Sequence, residues 1–479
     1  MDHQSLETQF RNKIPYERGT EEYKAYEALI PFLGNPQPLL VITDIEQDLD
    51  DLLAVLILSH MHYLGIVNLV GLVANHKPSL KRAKFLRTVL HLQDIPEVPV
   101  AVGTDGTGGK ENRERFWHEL RNQTFELQPW NDGGFLDGCE LIDRLARQAD
   151  ENKVKLTVLC ISSLQDISEF FDKQDGAALQ KRFATFVSQG GYEIRGKSLL
   201  PDMKAMNNIF HQDAAKNYTD CLTSLGLRSD AWTKEVAIAA ALDRSVLDKL
   251  PGPLGHHIRW VSKRQEFKYG WDAIHKPFLP HLNKEWFFST RKAGTFPAYD
   301  ACAAMGALGD GVLRSLGILN GLPSTNTYSH RHRVFGASRD DLGGIDAAKL
   351  KFSIQVFLEG SLRVTSNHAE ALIPTETLSY PAPKNNITWE TFLMQMPHLE
   401  KMEAFRRAAG RPTEEAIEKF KRGAFGENKL QDEYGNTVKD LEGRDCPMIP
   451  ETIPYEMLYQ FDSNIQHWAD GWRKLCRSN

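Results

Sequence analysis

Leu39-Leu40-Val41-Ile42-Thr43 runs directly into Asp44-Ile45-Glu46-Gln47-Asp48-Leu49-Asp50-Asp51, and DDLLAVLILSHMHYLG (50–65) continues with the length and composition of a helix. The apolar run is bounded on one side by the turn cluster Gly34-Asn35-Pro36-Gln37-Pro38 and on the other by acids. A short apolar segment so bounded reads as a strand buried on both faces. A buried strand therefore feeds a helix through an acidic loop.

The alternation repeats downstream. IVNLVGLV (66–73), VPVAVG (98–103), VKLTVLCI (154–161), RFATFVSQGG (182–191) and EVAIAAAL (235–242) read as strands. SLKRAKFLRTVLHL (79–92) and GCELIDRLARQADEN (138–152) read as helices between them. Strands alternating with helices imply right-handed crossovers and an open, mostly parallel sheet, so the fold class is α/β. Ligands of such sheets bind at the carboxyl ends of the strands, where the acidic loop lies. After about residue 315 the alternation weakens, and FSIQVFLEGSLRVT (352–365) reads as one more strand or a hairpin. Three segments follow: a polar lead-in over 1–37, an α/β domain over 38–370 and a mainly helical extension over 387–479.

The 479 residues carry 57 Lys and Arg against 63 Asp and Glu, a formal net charge of −6. Without a basic excess or stripe, the chain is not expected to bind nucleic acid, whose phosphates supply most of such affinity. Six cysteines are scattered singly with no CxxC pair, so neither a zinc site nor a disulfide framework is expected, and a reducing, cytoplasmic compartment is the natural reading. The N-terminus lacks an apolar run of signal-peptide length, and no stretch approaches the roughly 18 apolar residues of a membrane span.

Asp44–Asp51 places five carboxylates in eight residues. Asp50 and Asp51 alone could be ordinary first-turn acids of a helix. Five converging at one strand end repel one another unless a cation neutralises them, and hard oxygen ligands suit Ca²⁺ or Mg²⁺. An EF-hand loop counted from Asp44 would need Gly where Leu49 stands and Glu where Val55 stands, so that reading fails. A phosphatase forming an aspartyl phosphate could use Asp44, although its usual second Asp is Glu46 here.

The loop resembles the DxDxGxDD signature of the nucleoside hydrolases, with Asp44, Glu46, Asp48 in place of Gly, Asp50 and Asp51. Four further segments are similar to that family's landmarks in the same order: Gly71-Leu72-Val73-Ala74-Asn75, VLCISSLQDIS (158–168), MKAMNNIFHQDAA (203–215) and PAYDACAAMGAL (297–308). In the second of these, Ser162 to Asp166 stand where the family usually has Gly-Pro-Leu-Thr-Asn; in the last, Tyr299 and Asp300 stand where it has His-Asp. The likeness covers roughly residues 38–315.

The resemblance implies one Ca²⁺ ion that holds the 2′ and 3′ hydroxyls of a ribose together with the attacking water. Glu46, Asp51, Asp300 and the backbone carbonyl of Ile161 would be its ligands. Asp50, Asn75 and Asn207 would bind the ribose hydroxyls, Glu46 would take the water's proton, and Tyr299 would stand in the acid's place. The implied activity is hydrolysis of the N-glycosidic bond of a ribonucleoside or related riboside, within purine metabolism; the alternative is a catalytically impaired relative that binds a ribosyl ligand or a protein partner. Carboxylates suit both the metal and an oxocarbenium-like transition state. The expected partner is a small-molecule riboside, with no nucleic acid or membrane, and homo-oligomerisation is left open.

The aromatic-rich stretch before Asp300, from Trp260 through Phe267, Tyr269 and Trp271 to Trp286-Phe287-Phe288, could form a flap over the base, with Trp260 and Trp271 as contacts. Three departures stand out. Glu46 is one methylene longer than Asp, Asp48 adds charge and removes the freedom of Gly, and Tyr299 is a weaker acid than imidazolium. His76 could replace the missing acid, although a lone loop histidine is more often solvated, and His330-Arg331-His332-Arg333 could meet an anionic group such as a phosphate but reads first as an exposed polar loop.

Overall fold

The computed structural model describes residues 3–106, 134–262, 294–322, 329 and 331–378. Trp271, the other aromatics expected beyond Trp260, and the extension over 387–479 lie outside the described residues. The chain divides into two units, one of Met1–Arg259 with Phe296–Ser379 and one of Trp260–Thr295 with Tyr380–Asn479. The first contains the sheet.

Nine strands carry labels: β1 (Gln37–Thr43), β2 (Val67–Ala74), β3 (Val100–Val102), β4 (Leu136–Asp137), β5 (Leu156–Cys160), β6 (Phe183–Gln189), β7 (Tyr192–Arg195), β8 (Ser198–Pro201) and β9 (Ser229–Trp232). An edge strand, His332–Phe335, completes an eight-stranded sheet among the described residues, in the order His332–Phe335, β9, β6, β5, β1, β2, β3, β4. Each of these pairings is parallel, whereas β7 and β8 form a separate antiparallel hairpin. The last six residues of β1 are buried, as its apolar run requires of a central strand covered on both faces.

Order and register position the site. From β1 the chain proceeds outward through β2, β3 and β4, then returns to lay β5 on the other side of β1. Thr43 pairs with Ala74 and Ile42 with Cys160, so β1, β2 and β5 end almost level. The Asn75 N–H donates to the Thr43 carbonyl and that of Ile161 to the Ile42 carbonyl, each at 2.9 Å. Three loops therefore leave the sheet side by side at its switch point, the usual ligand crevice of an open parallel sheet.

Three segments depart from expectation. EVAIAAAL (235–242) is mostly the helix Lys234–Ala239, and the strand of that region is the preceding Ser229–Trp232. Alanine is the best helix former, and here it prevails over the β-branched Val236 and Ile238. FSIQVFLEGSLRVT lies within the single helix Ala347–Leu372, which buries Leu350, Ile354, Phe357, Ser361 and Thr365 at helical spacing. His332 and Arg333 are buried strand residues rather than an exposed loop. Arg333 Nε and Nη2 donate to the two carboxylate oxygens of Asp230 at 2.5 Å each, and Nη1 donates to Asp310 at 2.7 Å. Paired in this way, a buried guanidinium can lie beside β9.

The N-terminal segment, expected as a lead-in, forms helices His3–Asn12 and Glu21–Glu27. Tyr26 is fully buried, with its hydroxyl 2.7 Å from Nε2 of His60 and its ring edge-on to Phe357. Among the described residues, no helix is long and apolar enough to cross a membrane.

Candidate metal and riboside site

The acidic loop leaves β1 and ends at the helix Leu49–Tyr63, for which Asp48 is the N-cap. Asp50 and Asp51 occupy its first turn, where backbone N–H groups and the helix dipole favour negative charge. Asp300 occupies the first turn of a second helix, Tyr299–Ala307, whose sequence is rich in alanine. Small side chains allow it to pack closely against Leu49–Tyr63, and the Asp300 N–H donates to Asp50 Oδ2 at 3.3 Å.

The carboxylates of Asp50, Asp51 and Asp300 each present an oxygen, and these lie within 4.8 Å of one another. The three residues are only 5%, 2% and 5% exposed. Burial, reinforced by repulsion from the neighbouring carboxylates, pushes Asp51 and Asp300 well above the usual carboxylate range. Thr43 Oγ1 opposes this at Asp51 by donating to Oδ1 at 2.5 Å. Asp44 is pushed up to about 6 by burial, against the lowering effects of Arg82 and a hydrogen bond from Ser162. Converging buried oxygens of this kind fit a hard divalent cation, whose charge would relieve their repulsion.

Arg82 was not singled out in the sequence, and it shapes the whole loop. It is fully buried, and its Nη1 donates to the carbonyls of Asp44 and Ile45 at 2.7 Å each. Nη2 donates to Gln47 Oε1 at 3.0 Å and to the Lys77 carbonyl at 2.7 Å, and Nε to the His76 carbonyl at 3.1 Å. The guanidinium thus ties the β1 loop to the β2 loop and places a positive charge beside the acids. Glu46 adopts φ 73°, whereas Asp48 has φ −131°. The left-handed position is therefore Glu46, and Asp48 sits in extended backbone open to any residue.

Glu46 is 2% exposed and stands outside the group of three converging carboxylates. Its Oε1 lies 2.7 Å from Nε2 of His257, a fully buried residue of the helical stretch 252–262. The signal available in the sequence was position: His257 lies three residues after the buried Leu254 on one helical face, and Arg82 shares a face with Phe85, Leu86 and Val89.

Asn75 is fully buried between loops. Its Nδ2 donates to the Ser163 carbonyl at 2.9 Å and to Asp166 Oδ2 at 2.7 Å, while its Oδ1 accepts from Ser162 Oγ. Asp166 also accepts from the N–H and hydroxyl of Thr104, at 2.8 and 2.9 Å, which joins the β2, β3 and β5 loops into one network. Both donor hydrogens of Asn75 are thus engaged within the protein. Asn207 Nδ2 donates to Gln189 Oε1 at 2.8 Å and to the Gln189 carbonyl at 3.3 Å, at the end of β6. Ile161 is buried directly after β5, and Tyr299 is half-buried next to Asp300. Trp260 belongs to the second unit. His76, expected in solvent, is instead buried and stacked on Phe210 with ring centroids 4.1 Å apart.

Neither a scan of protein-family models nor a search of curated proteins finds a match. Solved structures do. The type III effector protein XopQ, solved with adenosine diphosphate ribose, aligns with a TM-score of 0.56 and 20% identity, over 71% of this chain and 98% of that one. The effector protein XOO4466 aligns with a TM-score of 0.55 and 19% identity, over 75% and 98%. The plant nucleoside hydrolase PpNRh1 aligns over 67% and 99%, at 13% identity and a TM-score of 0.43. At these identities the likeness is one of fold, the open parallel α/β fold that the strand alternation leads one to expect.

Proposed function

We propose that the protein hydrolyses the N-glycosidic bond of a riboside with the help of one divalent cation, most simply Ca²⁺. The observation that carries this reading is the buried convergence of Asp50, Asp51 and Asp300 at the switch point of the sheet. A cation held there would supply charge compensation for the three acids and Lewis acidity toward a water and the ribose hydroxyls. The carbonyl of Ile161, directly after β5, would offer a fourth oxygen.

The remaining chemistry falls to side chains. Water adds to the anomeric carbon as the bond to the base nitrogen breaks; Glu46 takes the water's proton, and Tyr299 gives one to the departing base. The acids around the anomeric carbon stabilise the positive charge that develops on the sugar. Asn207, whose Nδ2 is held by Gln189, would offer its Oδ1 to a ribose hydroxyl. Asn75 acts through the loops it ties together.

XopQ was solved with adenosine diphosphate ribose, which supports a second reading in which the site binds a ribosyl ligand without turnover. One experiment separates the two. Purified protein is loaded with Ca²⁺ and incubated with a panel of purine and pyrimidine nucleosides and ADP-ribose, while reducing sugar is measured and binding is followed by calorimetry. Ribose release that stops on chelation supports hydrolysis. Binding without release supports the second reading, and neither Ca²⁺ uptake nor ligand binding sinks both.

A further inference from the structure

We propose that His257 is the positioning residue for Glu46 and holds that carboxylate outside the metal set, so that Glu46 acts as proton acceptor and not as a cation ligand. This rests on the hydrolase reading above and departs from the role the resemblance assigns to Glu46, where one residue does both jobs.

The geometry has three parts. Glu46 lies in the left-handed backbone region, so its side chain leaves the loop in a direction its neighbours do not share. Its Oε1 meets His257 Nε2 at 2.7 Å with both residues buried, whereas the oxygens that approach one another within 4.8 Å belong to Asp50, Asp51 and Asp300. The third part is bracing. The His257 ring stands edge-on to Phe85 at 5.6 Å, and Phe85 shares the helix Ser79–Leu92 with Arg82. Arg82 grips the Ile45 carbonyl and the Gln47 side chain on either side of Glu46. One helix thus fixes both the backbone that carries Glu46 and the imidazole that aims its carboxylate. A base so held needs little reorganisation to reach a water, and a misplacement near 1 Å can cost about 10²-fold in rate.

The test compares His257→Phe, which keeps the ring and removes the nitrogens, with His257→Gln, which keeps an N–H donor, and with Glu46→Gln and Asp300→Asn. Matched far-UV circular dichroism confirms folding. In ¹⁵N-histidine-labelled protein, Glu46→Gln should shift the ring nitrogens of one histidine, identified as His257 by its absence from His257→Phe. Calorimetry should give Ca²⁺ affinities within about twofold of the parent for His257→Phe and Glu46→Gln, against a loss of roughly tenfold or more for Asp300→Asn. In ribose release, His257→Phe should lower kcat about 10²-fold with little change in KM, and His257→Gln should recover roughly tenfold of that loss. Unmoved ring nitrogens, or Ca²⁺ affinity lost alike in Glu46→Gln and Asp300→Asn, would overturn the proposal. If the parent protein shows no ribose release or no Ca²⁺ binding, the hydrolase reading falls by itself, and the ring nitrogens alone decide the pairing.

Discussion

Arg82 Nη1 donates to the backbone carbonyl of Asp44 at 2.7 Å and, with its other donated bonds, turns two neighbouring loops into one body. The bonds to the His76 and Lys77 carbonyls reach across to the β2 loop, so the acids after β1 owe their placement to a residue of another element. Arg82 is also their internal counterion: the acids Asp44, Asp51, Glu46 and Asp48 all favour its charged form, against the lowering effect of its burial.

Replacing this guanidinium should be costly in a way that charge alone does not predict. Arg82→Lys keeps the charge but offers one ammonium where a planar fork served several carbonyls. Each buried acceptor left without a donor costs about 1 to 3 kcal/mol, so a loss of at least about 3 kcal/mol is expected in urea unfolding. Equal stability of Arg82→Lys and the parent would show that the loops hold their shape without the fork.

Asp300→Asn should reverse its effect on stability with the metal. Burial and repulsion from Asp50 and Asp51 raise the Asp300 carboxyl, so the metal-free protein bears a cost that the neutral amide removes. After chelation, Asp300→Asn should melt above the parent. With millimolar Ca²⁺ the order should invert, because the parent gains binding energy that the variant lacks. A variant that melts below the parent in chelator would contradict the assigned repulsion.

The carboxylates of this site were legible in the sequence because Asp44, Glu46, Asp48, Asp50 and Asp51 are neighbours in the chain and follow an unmistakably apolar strand. Asp300 was legible only through its resemblance to a late motif. His257 and Arg82 were not legible, since their partners lie 211 and 38 positions away in the case of Glu46 and Asp44, and only the folded sheet brings them together. The fold shows the same division. Fully buried parallel strands announce themselves as apolar runs, whereas Ser229–Trp232 is too short and polar to do so, and Arg333 is buried only because Asp230 and Asp310 receive it.

His60 gives the stability a defined acid dependence. Burial lowers its pKa to about 3 from an ordinary 6.5, and the Tyr26 hydroxyl lies 2.7 Å from its Nε2. Because the folded value is depressed, the unfolded chain binds more protons between those limits. The contribution of neutral His60 is therefore complete above about pH 6.5 and is lost progressively as pH falls toward 3, at up to about 1.4 kcal/mol for each unit. Asp44, raised to about 6, acts with the opposite sign, so the parent curve alone mixes the two. The difference between parent and His60→Gln isolates the histidine. Urea unfolding from pH 7 to pH 4 should show the parent losing stability faster than His60→Gln, and parallel curves would remove His60 as a source of the acid dependence.

Gly306 tests whether the second helix of the site can move. A Cβ at this position would fall on the indole of Trp232, closer to Nε1, Cε2 and Cζ2 than van der Waals contact allows. Trp232 is 1% exposed at the end of β9 and stacks obliquely on Phe335 at 4.8 Å, so it has no solvent side to retreat to. Gly306→Ala must displace either the indole or the helix Tyr299–Ala307, and overpacking of a dense core typically costs about 1 to 3 kcal/mol. Since Asp300 begins that helix, displacement of the helix should also weaken Ca²⁺ binding, whereas displacement of the indole should spare it. The helix is the part expected to move, because Trp232 is held by its own strand between two parallel neighbours. Gly306→Ala should therefore lose stability and Ca²⁺ affinity together, and a destabilised variant that binds Ca²⁺ as well as the parent would assign the movement to Trp232 instead.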